Sequence, residues 1–153
     1  MDWLLEGLVG LIAALLGRRK RVRLAFRVEG GGGSVASAQG PVFVWDVRNP
    51  GWRPSGVLCL GVELKDGRDV LVGCGSEDGG GSPVPQMLSR RQKAHFRCNV
   101  RDLRDDILRG YPGAGDVAIR PFVADGSGRR RYVRWWSFDL QTLEARPGSK
   151  KRT

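Results

Sequence analysis

Val42-Phe-Val-Trp-Asp-Val-Arg-Asn-Pro-Gly-Trp-Arg-Pro54, continuing through Val57-Leu-Cys-Leu-Gly-Val-Glu-Leu64 to Asp66-Gly67, is the stretch that decides the fold. Val42–Val47 and Val57–Leu64 are rich in β-branched and aromatic residues, the composition of strands. Between them, Asn49-Pro50-Gly51 is turn chemistry: Pro fixes one φ, and Asn and Gly tolerate conformations that other residues avoid. Asp66-Gly67 is a tight hairpin signal that sends the chain back into a strand over Asp69–Gly73. Strands joined by turns this short run antiparallel.

The pattern extends in both directions. Upstream, Arg21-Val-Arg-Leu-Ala-Phe-Arg-Val28 alternates strictly, with Val22, Leu24, Phe26 and Val28 on one face. That is a half-buried strand, and its arginines form a solvated outer face. Gly30–Gly40 and Gly75–Pro83 read as glycine-rich loops. Downstream, Val84–Leu88, Lys93–Val100, Asp116–Ala124 and Arg130–Leu140 read as strands, with a turn at Asp125-Gly-Ser-Gly128. Arg101–Arg109 places Leu103, Ile107 and Leu108 on one side and pairs Asp105 with Arg109, so it reads as a short helix ended by Gly110 and Pro112. Seven to eight short strands with one helical crossover indicate a mainly β, antiparallel sandwich. No βαβ rhythm is present, which excludes nucleotide-binding α/β folds.

The run from Val42 to Pro54, with Val57–Leu64 and Asp66-Gly67, resembles immunoglobulin-like (Ig-like) β-sandwich modules. More narrowly, it is similar to small bacterial proteins of unassigned role that share an N-x-G-x-R-P…V-G…D-G pattern. Asn49, Gly51, Arg53, Pro54, Gly61, Asp66 and Gly67 carry that pattern here, and the Val123–Arg129 turn fits it. The resemblance covers residues 22–140. The order of Trp45 ahead of Cys59 and Cys98 departs from antibody domains. The resemblance implies an Ig-like sandwich that binds a partner, and transfers no active-site residues.

Residues 1–20 form a separate unit, ahead of a sandwich at 21–141 and a basic flexible tail at 142–153. Trp3–Leu16 is almost wholly apolar, and Arg18-Arg19-Lys20-Arg21 follows directly. A cleaved signal would need basic residues first and a small-residue cleavage site after. A membrane-spanning helix needs about 20 apolar residues. Trp3–Gly17 falls short of that and includes Glu6, but interfacial Trp3 and snorkelling arginine stems could extend it. An interfacial helix fits as well. At helical spacing Leu4, Leu5, Leu8, Val9, Leu11, Ile12, Leu15 and Leu16 share one half of the wheel, and Arg18, Arg19, Lys20 and Arg21 can bind anionic lipid. The small face, with Gly10/Ala14 and Ala13/Gly17 spacing, also suits self-association. A helix packed on its own domain is the remaining alternative. The membrane readings place the sandwich on the cytoplasmic side by the positive-inside tendency.

The formal charge of +10 demands an acidic counterpart: a membrane surface, nucleic acid or an acidic protein. Five basic residues between positions 18 and 23, and Arg146, Lys150, Lys151 and Arg152, hold most of the excess, which favours lipid. Cys59, Cys74 and Cys98 are an odd count without CxxC spacing, so they read as small buried hydrophobes in a reducing setting.

A single histidine argues against a zinc site. His95 and Cys98 lie on opposite faces of one strand and cannot act as base and nucleophile. Asp102, Asp105 and Asp106 sit among arginines as a charge-balanced helix surface. Gly30–Gly33 and Gly79–Gly81 lack the Gly-Lys-Ser/Thr ending of a phosphate loop. Neither cofactor nor metal is expected, and the chain reads as a non-enzyme.

One stretch invites a sharper idea. Arg129-Arg-Arg-Tyr-Val-Arg-Trp-Trp136 interleaves basic and aromatic residues as single-strand nucleic-acid grooves do. On a regular strand, Arg130, Tyr132, Arg134 and Trp136 share the outward face, with Val133 and Trp135 in the core. That face could stack bases, meet a protein partner or rest on headgroups, or its arginine stems could simply cover the aromatics. The leading expectation is therefore a non-enzymatic, membrane-tethered β-sandwich that binds a protein partner. Nucleic-acid binding through Arg129–Trp136 is the alternative, and a soluble assembly component that uses the N-terminal helix as an oligomer contact is the third.

Overall fold

The computed structural model describes residues 22–30, 40–72 and 84–148. The N-terminal helix expected over residues 1–20, the membrane-contact candidates from Trp3 to Arg21, Cys74 and the last residues of the basic tail lie outside them. The described chain is mainly β. Strands β1 (Arg23–Glu29), β2 (Val42–Arg48), β3 (Ser55–Leu64), β4 (Asp69–Leu71), β5 (Gln86–Leu88) and β6 (Lys93–Asn99) lead into helix α1 (Val100–Gly110). After it come β7 (Asp116–Asp125), β8 (Arg130–Tyr132), β9 (Trp136–Asp139) and β10 (Ala145–Pro147).

Two antiparallel sheets form. The first has the order β1-β2-β6; the second has β10-β9-β7-β3-β4, with β5 also on β3 and β8 on β7. Their inner faces share one apolar core that includes Phe26, Phe43, Trp45, Phe96, Leu60, Val62, Ile119 and Phe138. The aromatic rings join the sheets edge-on: Phe26 lies 5.0 Å from Trp136, and Phe43 lies 5.3 Å from Phe138. Such tilted contacts set the negative ring face against a positive edge and add to plain area burial.

α1 follows β6 and closes the end of the core with Val100, Leu103 and Ile107. The Asn99 side chain caps it by accepting from the Arg101 N–H at 2.9 Å. The i,i+4 pair expected between Asp105 and Arg109 does not form. Arg104 takes Asp105 at 2.9 Å, and Arg109 takes Asp106 one step closer, at 3.1 Å.

The last expected strand, Arg130–Leu140, is split. Phe122 pairs with Tyr132, and Ile119 pairs with Trp136. Two residues of β7 therefore face three residues of the partner, which is a β-bulge. Its physical origin is Pro121, which has no N–H to give the ladder, although its carbonyl still accepts from Val133 N–H at 3.0 Å. Residues 145–147, expected to belong to a flexible tail, form β10 on β9.

The two ends of the molecule differ. The near end gathers the start of β1, the end of β2, the loop 49–54, the β5–β6 turn and the start of β6. The far end holds α1 and the Asp66-Gly67 hairpin, linked by the Tyr111 hydroxyl donating to Asp66.

Candidate interaction surface

The bulge decides what becomes of the basic–aromatic strand. The extra residue within 133–135 inverts the side-chain alternation, so Trp136 turns inward onto Phe26. The outward set expected from Arg130, Tyr132, Arg134 and Trp136 is thus divided: Trp136 leaves it and Trp135 joins it. The remaining members are largely satisfied within the chain. Arg130 makes a bidentate pair with Asp69, at 2.9 and 2.6 Å, while its guanidinium lies 4.3 Å from the Phe122 ring. Arg120 lies 4.3 Å from Tyr132 and 5.8 Å from Trp135. Phe122 is fully buried beneath this layer. The stack is a cover of cation–π contacts over an outward-facing phenylalanine; Arg134 stays exposed and Tyr132 is partly so.

The near end presents a second basic–aromatic group, which sequence reasoning missed. Arg23 pairs with Arg48, and Arg48 pairs with Lys93. Three exposed cations therefore stand in one row across three strands. Like charges directly opposite on a sheet are destabilising. None of the three forms an ion pair among the described residues. Beside the row, Trp52 is 71% exposed, and Arg90 stacks on it at 3.3 Å.

Asn49 holds this end together. It is buried, and its Nδ2 donates to the carbonyls of Arg53 at 2.7 Å, Leu88 at 3.1 Å and Ser89 at 3.3 Å. Its Oδ1 accepts from Gly51 N–H at 2.9 Å. One side chain thus fastens the 49–54 loop to the β5–β6 turn. The run Trp52-Arg53 and the pair Arg90-Arg91 were visible signals; their meeting depends on bonds spanning about forty residues.

The outer face of β1-β2-β6 carries a charge ladder away from this end. Asp46 receives Arg27 at 2.7 Å and contacts His95; Glu29 receives Arg97 at 2.6 Å and contacts Arg27. Burial alone would raise the Asp46 carboxyl, but the hydrogen bonds from Arg27 and His95 outweigh it and hold it below its ordinary 3.8. A depressed folded-state value means stability that is present above 3.8 and is lost as pH falls through the lower folded value. Asp139 acts in the same sense, held low by the Thr142 and Gln141 backbone N–H groups. Asp46→Asn is therefore expected to lower stability at neutral pH and to match wild type in acid. Urea midpoints for both proteins across that range check this; a constant gap would overturn it.

His95 lies on this outer face, while Cys98 packs against the core. Cys59 and Cys98 are partly buried. Among the described residues no cluster of His, Cys, Asp or Glu could hold a metal, and no helix is long and apolar enough to cross a membrane.

No protein-family model matches the chain. The β subunit of DNA-directed RNA polymerase, from two Thermus thermophilus strains, is 38% identical over 65 residues. That stretch is 42% of this chain and only 6% of the polymerase subunit. Among solved structures, a Northeast Structural Genomics Consortium target is similar with a TM-score of 0.42 and 8% identity, covering 88% of this chain and 98% of that one. A Bordetella pertussis protein provisionally named ApaA is similar with a TM-score of 0.34 and 14% identity over the same shares.

Proposed function

We propose that this chain is a non-enzymatic interaction module, an Ig-like β-sandwich tethered by its N-terminal segment to the cytoplasmic side of an anionic membrane. The observation that carries this reading is the row Arg23–Arg48–Lys93. It lies at the end of the sandwich that residues 18–21 adjoin in sequence, and none of its three cations forms an ion pair among the described residues. A negative leaflet is a counterpart that compensates such a row, at about 1 kcal/mol per basic residue. With the near end on lipid, the far end and the sheet faces remain open to a protein partner.

Fractionation tests it. The full chain is expected to pellet with membranes, and a chain starting at Arg21 is expected to do so far less. Resistance of the full chain to alkaline carbonate marks a spanning anchor, and release marks an interfacial helix. If both chains stay in the supernatant, the proposal fails.

The second reading, nucleic-acid binding through the Arg129–Trp136 strand, draws on its composition and on the 65-residue likeness to a subunit of DNA-directed RNA polymerase. The internal pairing of Arg130 with Asp69 and the inward turn of Trp136 weigh against it.

A further inference from the structure

We propose that the paired loops 49–54 and 89–92 form a peripheral lipid-binding site of their own. Trp52 enters the headgroup layer of an anionic bilayer, and Arg53, Arg90 and Arg91 engage lipid phosphates. The inference rests on the membrane reading above and deepens it, because it assigns contact to the folded domain itself.

An exposed tryptophan is costly in water, yet an indole is the side chain best suited to a membrane interface, with an apolar body and one polar N–H. Trp52 is 71% exposed, and Met87, opposite Gly56 at the same end, is 63% exposed. Two large apolar side chains thus stand out from an end that is otherwise mainly basic. Arg90 covers one ring face of Trp52 at 3.3 Å, and Arg91 lies 6.0 Å from the ring. Neither arginine, nor Arg53, forms an ion pair with a described residue. Each guanidinium keeps a planar fork of donors that suits phosphate oxygens.

The surroundings do not neutralise this group. Asp125 at the same end commits its Oδ1 to Ser127 and Arg129 N–H groups within its own turn. Asp46 is taken by Arg27 and His95. The arrangement is also held in place. Asn49 ties both loops together, and Ser89 and Gln92 bond each other twice, at 2.8 and 3.0 Å, across Arg90-Arg91. Arg91 sits at φ 56, a left-handed conformation unusual for arginine, which this closed turn maintains. Apolar protrusions set in a tied-down, mainly basic rim describe a surface that inserts shallowly and is retained by charge.

Hydrogen exchange with mass spectrometry on the full chain tests this, using vesicles of mixed phosphatidylglycerol and phosphatidylcholine against pure phosphatidylcholine. Peptides covering 49–54 and 89–92 are expected to exchange about thirtyfold more slowly on the anionic vesicles alone, the scale that two basic residues at such a surface give. Trp52→Ala and the double variant R90E/R91E should abolish that protection while the chain still sediments with the vesicles. If wild type sediments but these peptides exchange at the free rate, the site is wrong and the tether stands. If wild type does not sediment, the tether and the site fall together. Protection by a single-stranded oligonucleotide but not by anionic vesicles would also overturn the site.

Discussion

Asn49→Ala is expected to lower stability by about 3 kcal/mol, a large share of what a domain of this size possesses. The side chain is 1% exposed and the only polar residue so deeply buried among those described. Removing it takes away a donor shared by three carbonyls and an acceptor for Gly51 N–H. The Leu88, Ser89 and Arg53 carbonyls and the Gly51 N–H would each lose this partner, and breaking buried hydrogen bonds by removing one side costs about 1–3 kcal/mol. Asn49→Asp separates this account from a simpler one. Aspartate is an excellent turn residue, so if Asn49 merely shaped the Asn-Pro-Gly turn, Asp would substitute well. If the donors matter, Asp sets a carboxylate oxygen against carbonyls and costs as much as Ala. Urea unfolding with an unchanged slope would report both values. A loss below about 1 kcal/mol for Asp would refute the donor role. Either variant should also loosen the Trp52–Arg90 stack.

Gly61→Ala is expected to cost about 3 kcal/mol or more, near the upper end for overpacking. A methyl group on Gly61 would stand 2.2 Å from the Val70 carbonyl oxygen and 3.1 Å from Leu71 Cα. Both are backbone, so no rotamer change can relieve the clash. β4 would have to leave β3, giving up its three cross-strand pairs and withdrawing Val70 from the core edge. Gly67 provides the control. It sits at φ +85, and a methyl group there would meet nothing within 4 Å, so Gly67→Ala costs only the backbone conformation, about 1 kcal/mol. Thermal or urea unfolding of the two variants should rank them Gly61 well above Gly67; equal losses would show that the close approach of β3 and β4 relaxes.

The contrast between these glycines shows what was legible in the chain. Gly67 belongs to a local Asp-Gly hairpin, and its role can be read from two residues. Gly61 is spacious along its own strand and crowded only by a neighbour nine or ten positions away. The same division runs through the fold. Alternation in Arg21–Val28 exposed the inner set of β1, and the Asn-Pro-Gly and Asp-Gly turns marked the strand ends around β2, β3 and β4. The face swap at Trp135 and Trp136 was hidden, because its cause, Pro121, lies on the partner strand. The lipid-facing candidate at Trp52 was hidden for a similar reason: Asn49 looks like a turn former, while its decisive bonds reach to Leu88 and Ser89.

Among the described residues, strand β1 is bonded to β2 alone, through seven consecutive residue pairs from Arg23–Arg48 to Glu29–Val42. Force drawn on the chain ahead of Arg23, along the strand axis, would load all seven pairs together, in shear, whereas a sideways pull would break them one after another from the near end. Resistance to such a pull is set by the rate of unfolding, not by equilibrium stability. A domain hung from its first strand in this manner is suited to bearing tension between the surface that holds it and whatever it holds in turn.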